Sequence, residues 1–143
     1  MVELVPTLLR QELARLAEDN LRLDGRGQWE GRDVTLDTDC LYTADGSATV
    51  VMGDTIVYAG VKFEIRTPWP DRPAQGSLMC GAELRPVAHR KYEPGPPSPQ
   101  SIELGRVVDR GIRESGCIDM ESLCIVPGEK VWGVMIDIHV LSD

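Results

Sequence analysis

Three arginines recur at helical spacing in the stretch Ser101–Gly116, SIELGRVVDRGIRESG: Arg106, Arg110 and Arg113. On a helical wheel they fall within about one sixth of the circumference, opposite Leu104, Val107, Val108 and Ile112 with Gly111 among them. A guanidinium presents a planar fork that donates two parallel hydrogen bonds to a phosphate or a carboxylate. Successive Cβ atoms along such a row lie about 5–6 Å apart, close to the separation of neighbouring phosphates on a nucleic acid strand. The row therefore suits a polyanion. A second reading fits the same residues, a charged helix surface or subunit contact. Glu103, Asp109 and Glu114 stand near enough for intrahelical pairs worth roughly 0.2–0.5 kcal/mol each. The spacing leaves both open.

Composition narrows the field. The chain carries 23 acidic and 15 basic residues, a formal net charge of -8. That balance favours solubility and opposes indiscriminate polyanion binding, yet it permits a local cationic site, because exposed charges more than about 10 Å apart are largely screened. With one Phe and three Tyr, stacking platforms for single strands are scarce. Cys40, Cys80, Cys117 and Cys124 contain no CxxC and follow no signal peptide, so reduced, packed thiols of a cytoplasmic protein are expected. His89 and His139 lack ligand-spaced partners, so no metal such as zinc is expected. No apolar run approaches the roughly 18 residues of a membrane span. At 143 residues the chain is long enough to fold without disulfide or metal staples.

The arginine row must be positioned by the elements around it. Ser98–Pro99 makes an N-cap and first-turn pair, and Gly116 a C-terminal stop, so a helix is predicted over Pro99–Glu114. Another amphipathic helix is predicted over Val2–Asp19, running out at Asp24–Gly25. From Arg32 the period changes to two. RDVTLDTDC reads as a half-buried strand, SATVVM as a second, and TIVYAGVKFEIR as a third, joined by turns at Asp45–Gly46 and Gly53–Asp54. In the third strand Val57, Ala59, Val61, Phe63 and Ile65 share one face, and Lys62, Glu64 and Arg66 the other. SLMCGAELRPVA reads as a fourth strand, and EKVWGVMIDIHVL as a last one with Trp132, Val134, Ile136, Ile138 and Val140 on a single face. The order predicts an α+β domain with a mainly antiparallel sheet and helices packed on one side. The boundaries read as residues 1–21 for the N-terminal helix and 22–143 for the domain.

Other candidates are weighed against plainer roles. Arg66, Trp69 and Arg72 lie in RTPWPDRPAQG, which reads as a stiff connection in which Trp69 covers a neighbour, or as a loop that meets a ligand. Asp24 and Arg26 read as a turn whose charges pair locally. Asp137 has no nucleophile or metal partner in the sequence, which opposes a catalytic role. His139 reads as a packing or interface residue, and Glu83 with Arg85 as a surface pair.

Several segments together resemble a known family. LRLDGRG, SATVVMGDTIVYAGVKFEIRTPWPDRPAQG, LRPVAHRKYEPGPPSP, IELGRVVDRGIRESG and KVWGVMIDIHVL follow one another in the order of RNase PH-like proteins. The resemblance runs from about Arg22 onward and points, through YEPGPP and IELGRVVDRGIRES, to the non-catalytic ring subunits of archaeal exosomes. It implies the first half of a duplicated βαβα, RNase PH-like (ribosomal protein S5 domain 2-like) two-layer fold. It also implies a hexameric ring alternating with a catalytic RNase PH-like subunit, RNA-binding cap proteins, single-stranded RNA and no membrane. The implied activity of the complex is 3′→5′ phosphorolysis, with inorganic phosphate used by the catalytic partner and no cofactor in this chain. Arg106 and Arg110 match family positions that face RNA, and Arg113 follows on the same side.

The chain also departs from the family pattern. Active members carry consecutive arginines near this helix, whereas here they are spaced Arg-x-x-x-Arg. The phosphate loop and catalytic acid of active members belong to a second half that this sequence does not include. The expectation is thus a fragment or one piece of a split gene, inactive by itself. The alternative is half of a split phosphorolytic enzyme.

Overall fold

The computed structural model describes residues 7–143, and the helix expected over Val2–Asp19 is seen there as α1, Thr7–Glu18, its first residues lying outside the described ones. The chain divides into two compact units, residues 1–33 and 34–143, so residues 22–33 group with α1.

In the first unit, the segment after α1 folds into a tight turn. Gly25 takes φ +82°, a left-handed conformation that glycine adopts without a Cβ penalty. The Arg22 guanidinium donates to the Gln28 carbonyl at 3.1 and 2.7 Å. Arg26 donates to Asp24 Oδ2 at 2.9 and 2.7 Å and to the Glu30 carbonyl at 2.8 Å. The local pairing expected of Asp24 and Arg26 is present.

The second unit is one sheet with a crossover helix. Its strands are β1 (Val34–Thr38), β2 (Gly46–Met52), β3 (Thr55–Arg66), β4 (Ser77–Leu84), β5 (Cys124–Val126) and β6 (Lys130–Ser142), with α2 (Pro99–Ser115) between β4 and β5. The order is β1-β2-β3-β6-β4, and β5 pairs with β6. All pairings are antiparallel except β4 with β6. Parallel neighbours need a long crossover, usually a helix, and α2 with its flanking loops supplies it.

Register puts one apolar set on one face. Val57, Ala59, Val61, Phe63 and Ile65 of β3 stand opposite Val140, Ile138, Ile136, Val134 and Trp132 of β6. Leu78, Cys80, Ala82 and Leu84 of β4 continue the row beyond β6. Val134, Val140, Leu78 and Ala82 are buried, and Phe63 meets Trp132 edge-on at 6.2 Å between ring centres. Phe63, Ile65 and Trp132 themselves remain 48%, 54% and 38% exposed.

Two expectations are corrected. The strand expected to be half-buried, now β1, is exposed along all five residues: it is an edge strand and, unlike the other edge β4 under α2, has no helix of its unit packed over it among the described residues. The thiols are not all packed: Cys40 and Cys117 are exposed. The three-residue strand β5 was not expected; it is too short to show a period.

Candidate nucleic-acid interface

α2 has sharp ends. Ser98, extended at φ -71° and ψ 158°, accepts the Ser101 amide on its side-chain oxygen at 3.2 Å, Pro99 opens the first turn, and Gly116 closes the last at φ +64°. Both signals are local, so a predicted helix of Pro99–Glu114 came within one residue of the observed Pro99–Ser115. The loop entering α2 is fastened to the end of β6. Lys91 Nζ and Tyr92 Oη each donate to Asp143 Oδ2 at 2.7 Å. These two donors, Lys91 first, hold the Asp143 carboxyl below the usual carboxylate range.

What packs α2 onto the sheet is small. Ser101 and Gly105 are its buried residues. A Cβ at Gly105 would stand 3.3 Å from the Ala82 amide nitrogen and 3.4 Å from the Cys80 carbonyl oxygen, so the helix backbone rides directly on β4. Leu78 and Ala82 are buried on that strand while Met79 and Glu83, pointing the other way, are exposed, which puts the helix over the apolar face. Half-buried Leu104 and Val108 lie to one flank of this small-residue stripe, and half-buried Ile112 continues along it. Val107 is 63% exposed. The arginines lie to the other flank.

The three arginines part company here. Arg113 Nε donates to Asp109 Oδ2 at 2.8 Å, and its Nη2 donates to the Leu78 carbonyl at 2.5 Å, tying the end of α2 to β4. Arg106 and Arg110 are exposed, and neither forms an ion pair or side-chain hydrogen bond among the described residues. The intrahelical pairing weighed for the row thus exists at Arg113 and is not formed at the other two. Two charged forks one turn apart, held by a rigid helix and facing open space, can take two adjacent anionic groups of a chain.

Other sequence candidates fall away from this row. Glu83 lies 2.6 Å from Arg85 and 3.7 Å from His139, a small surface network on the sheet face opposite the apolar one. Asp137 shares that face, its carboxylate beside Gly81. In the loop after β3 it is Pro68, not Trp69, that is buried. Trp69 is 66% exposed, so it does not cover a neighbour as the plainer reading held. The loop is nonetheless held in place, since the Gly76 amide donates to the Met120 carbonyl and the Gly128 amide to the Pro73 carbonyl.

Residues 30–143 match the RNase PH family, described as the 3′ exoribonuclease family, domain 1. The chain belongs to that family. Exosome complex component Rrp42 of Methanosarcina acetivorans is 48% identical over 143 residues, all of this chain and 54% of that protein. The corresponding Archaeoglobus fulgidus protein is 52% identical over 125 residues, 87% of this chain and 48% of its own length. The chain spans about half the length of the curated relatives it matches. A solved structure described as the Archaeoglobus fulgidus exosome with RNA bound to the active site superposes at TM-score 0.88 and 49% identity, over 94% of this chain and 53% of that one. Rice (Oryza sativa) Rrp46, at 23% identity and TM-score 0.59 over 85% of this chain and 52% of its own, shares the fold. The fold is α+β and RNase PH-like.

Proposed function

We propose that this chain is a ring subunit of an archaeal-type exosome that grips RNA and leaves the chemistry to its partner. The single observation that carries the reading is the pair Arg106 and Arg110, exposed and without ion-pair partners among the described residues, in a chain similar along its whole length to exosome components. Arg113, expected in the same row, serves in this reading as the brace that holds the row, since its donors go to Asp109 and Leu78. Contacts to phosphate fix the register of a strand without reading its bases, which suits a complex that must degrade any RNA.

The partners in this reading are a catalytic RNase PH-like subunit alternating with this chain in a hexameric ring, RNA-binding cap proteins and single-stranded RNA, in the cytoplasm. Inorganic phosphate is consumed at the partner's site, and no cofactor is held here. Asp109, the acid nearest the row, is engaged with Arg113, and Glu83 with Arg85 and His139, which supports a non-catalytic role for these two. The exposed Phe63, Ile65 and Trp132 fit a face on which a second RNase PH-like half packs. Among the described residues no helix is long and apolar enough to cross a membrane.

The test is phosphorolysis of a labelled oligoribonucleotide by this chain, by the catalytic partner, and by the two together. The reading expects a joint ring in which the activity tracks the partner's acidic residue. Phosphate-dependent release of nucleoside diphosphates by this chain without the partner would overturn it in favour of a split enzyme.

A further inference from the structure

We propose that the arginine row ends in a seat for one nucleobase, formed by Ile102 and the cavity between α2 and β4. This rests on the RNA-gripping role given above to Arg106 and Arg110. A cavity of about 210 Å³ opens beside Arg106, lined by Cys80, Ala82, Pro97, Ile102 and Gly105. Its volume corresponds to roughly seven water molecules, room for one planar heterocycle and little more. Arg106 is the one charged side chain on its wall, and it stands at the side facing the row.

Apart from Arg106 the wall is uncharged, and its Ser101 hydroxyl is already given to the Ser98 carbonyl at 2.9 Å. Pro97, Ile102 and Ala82 are apolar. Burial, with the nearby charges of Asp109 and Asp137, pushes the Cys80 thiol up, so it stays an uncharged thiol at neutral pH. Ile102 is 54% exposed, a large apolar side chain open beside a cavity that it helps to form. Such a surface fits an uncharged, flat group rather than a second phosphate.

Geometry names the group. Ile102, Arg106 and Arg110 are spaced i, i+4 and i+8, so they stand one above another on the same side of the helix. A strand with successive phosphates on Arg110 and Arg106 carries its next nucleotide over Ile102, where the cationic row gives way to apolar surface. Gly105, close against the Ala82 amide and the Cys80 carbonyl, forms the floor of the cavity, and Pro97 and Ile102 stand at its rim. Contact with the flat of a base tolerates every base, as a non-selective strand path requires.

The experiment uses the full chain assembled in its complex. Fluorescence anisotropy follows a labelled ten-nucleotide oligoribonucleotide, alongside versions in which one position at a time is abasic. Ile102→Ser should weaken binding roughly three- to tenfold with an unchanged salt slope, because losing apolar contact releases no counterions. Ile102→Val should restore most of the affinity. One abasic position should weaken the wild-type complex by a similar factor and have no effect in Ile102→Ser. If Arg106→Glu with Arg110→Glu weakens binding while Ile102→Ser does not, or if Ile102→Ser lowers affinity for intact and abasic strands alike, the base seat is refuted and the phosphate row stands. If the double arginine variant binds RNA as the wild type does, the row itself is refuted and the seat with it.

Discussion

Arginine has opposite fates in the turn after α1 and on the flank of α2. In the turn, Arg22 and Arg26 give their donors to the Gln28 and Glu30 carbonyls and to Asp24, all within eight residues of one another. On α2, Arg106 and Arg110 make no such bonds among the described residues, and Arg113 bonds both to its own helix and to β4. A guanidinium with five donors closes on nearby carbonyls wherever the backbone turns back on itself. A helix offers it none, because the carbonyls are spent inside the helix. On α2 the cationic charge stays available at Arg106 and Arg110 and is consumed at Arg113, where Asp109 and the Leu78 carbonyl of β4 come within reach.

That contrast can be broken most severely by moving the helix. Gly105→Leu should force α2 off β4, lowering stability by about 1–3 kcal/mol through overpacking and abolishing RNA binding. Thermal melting and anisotropy measure the two effects together. Next in size is Arg106→Glu with Arg110→Glu. The complex should assemble normally, bind RNA roughly ten- to a hundredfold more weakly and show a salt slope flatter by about one to two units. Unaltered binding across a salt series would remove the distinction between the two regions.

Arg113→Ala sharpens the line inside α2. It should cost about 1 kcal/mol, allowing for screening of a partly exposed group, and leave the salt slope alone. A slope change equal to that of Arg106→Glu would make it a phosphate ligand after all. The smallest effect is expected in the turn. Hydrogen bonding from Arg26, above all its side chain, holds the Asp24 carboxyl below its ordinary value. The contribution of that pair is therefore present above the ordinary aspartate range and lost as pH falls through the lowered value. Protection of the Gly25–Gln28 amides, relative to their intrinsic exchange at each pH, should fall on acidification below about pH 4, the ordinary aspartate pKa. Arg26→Ala should remove that pH dependence without touching RNA affinity.

Much of the fold was legible because its signals are short-range. β3 was read as Thr55–Arg66 from alternation alone, and Ser98, Pro99 and Gly116 marked the ends of α2. What misled was burial. Val34 and Leu36 alternate like core residues yet stand on an edge strand, and alternation shows a face without showing that anything covers it. On α2 the apolar residues marked the right side, since Leu104, Val108 and Ile112 are half-buried, but the closest contact with β4 is made by Ser101 and Gly105. The signal available was their i, i+4 spacing of small residues, which permits close approach to a strand. Asp109 appeared among the possible ion partners of the row, but its pairing with Arg113 alone could not be read.

By itself the amino-acid sequence determined the longer strands, the capped helix and the alignment of three arginines on one side, since these depend on backbone preferences and periodicities within a few residues. Tertiary structure alone decided which of the three are available. The Leu78 carbonyl that holds Arg113 is 35 residues away along the chain and reaches it only after β4 and β6 pair in parallel and α2 crosses between them. Long-range pairing of this kind is set by the packing of the whole sheet, which no local pattern encodes.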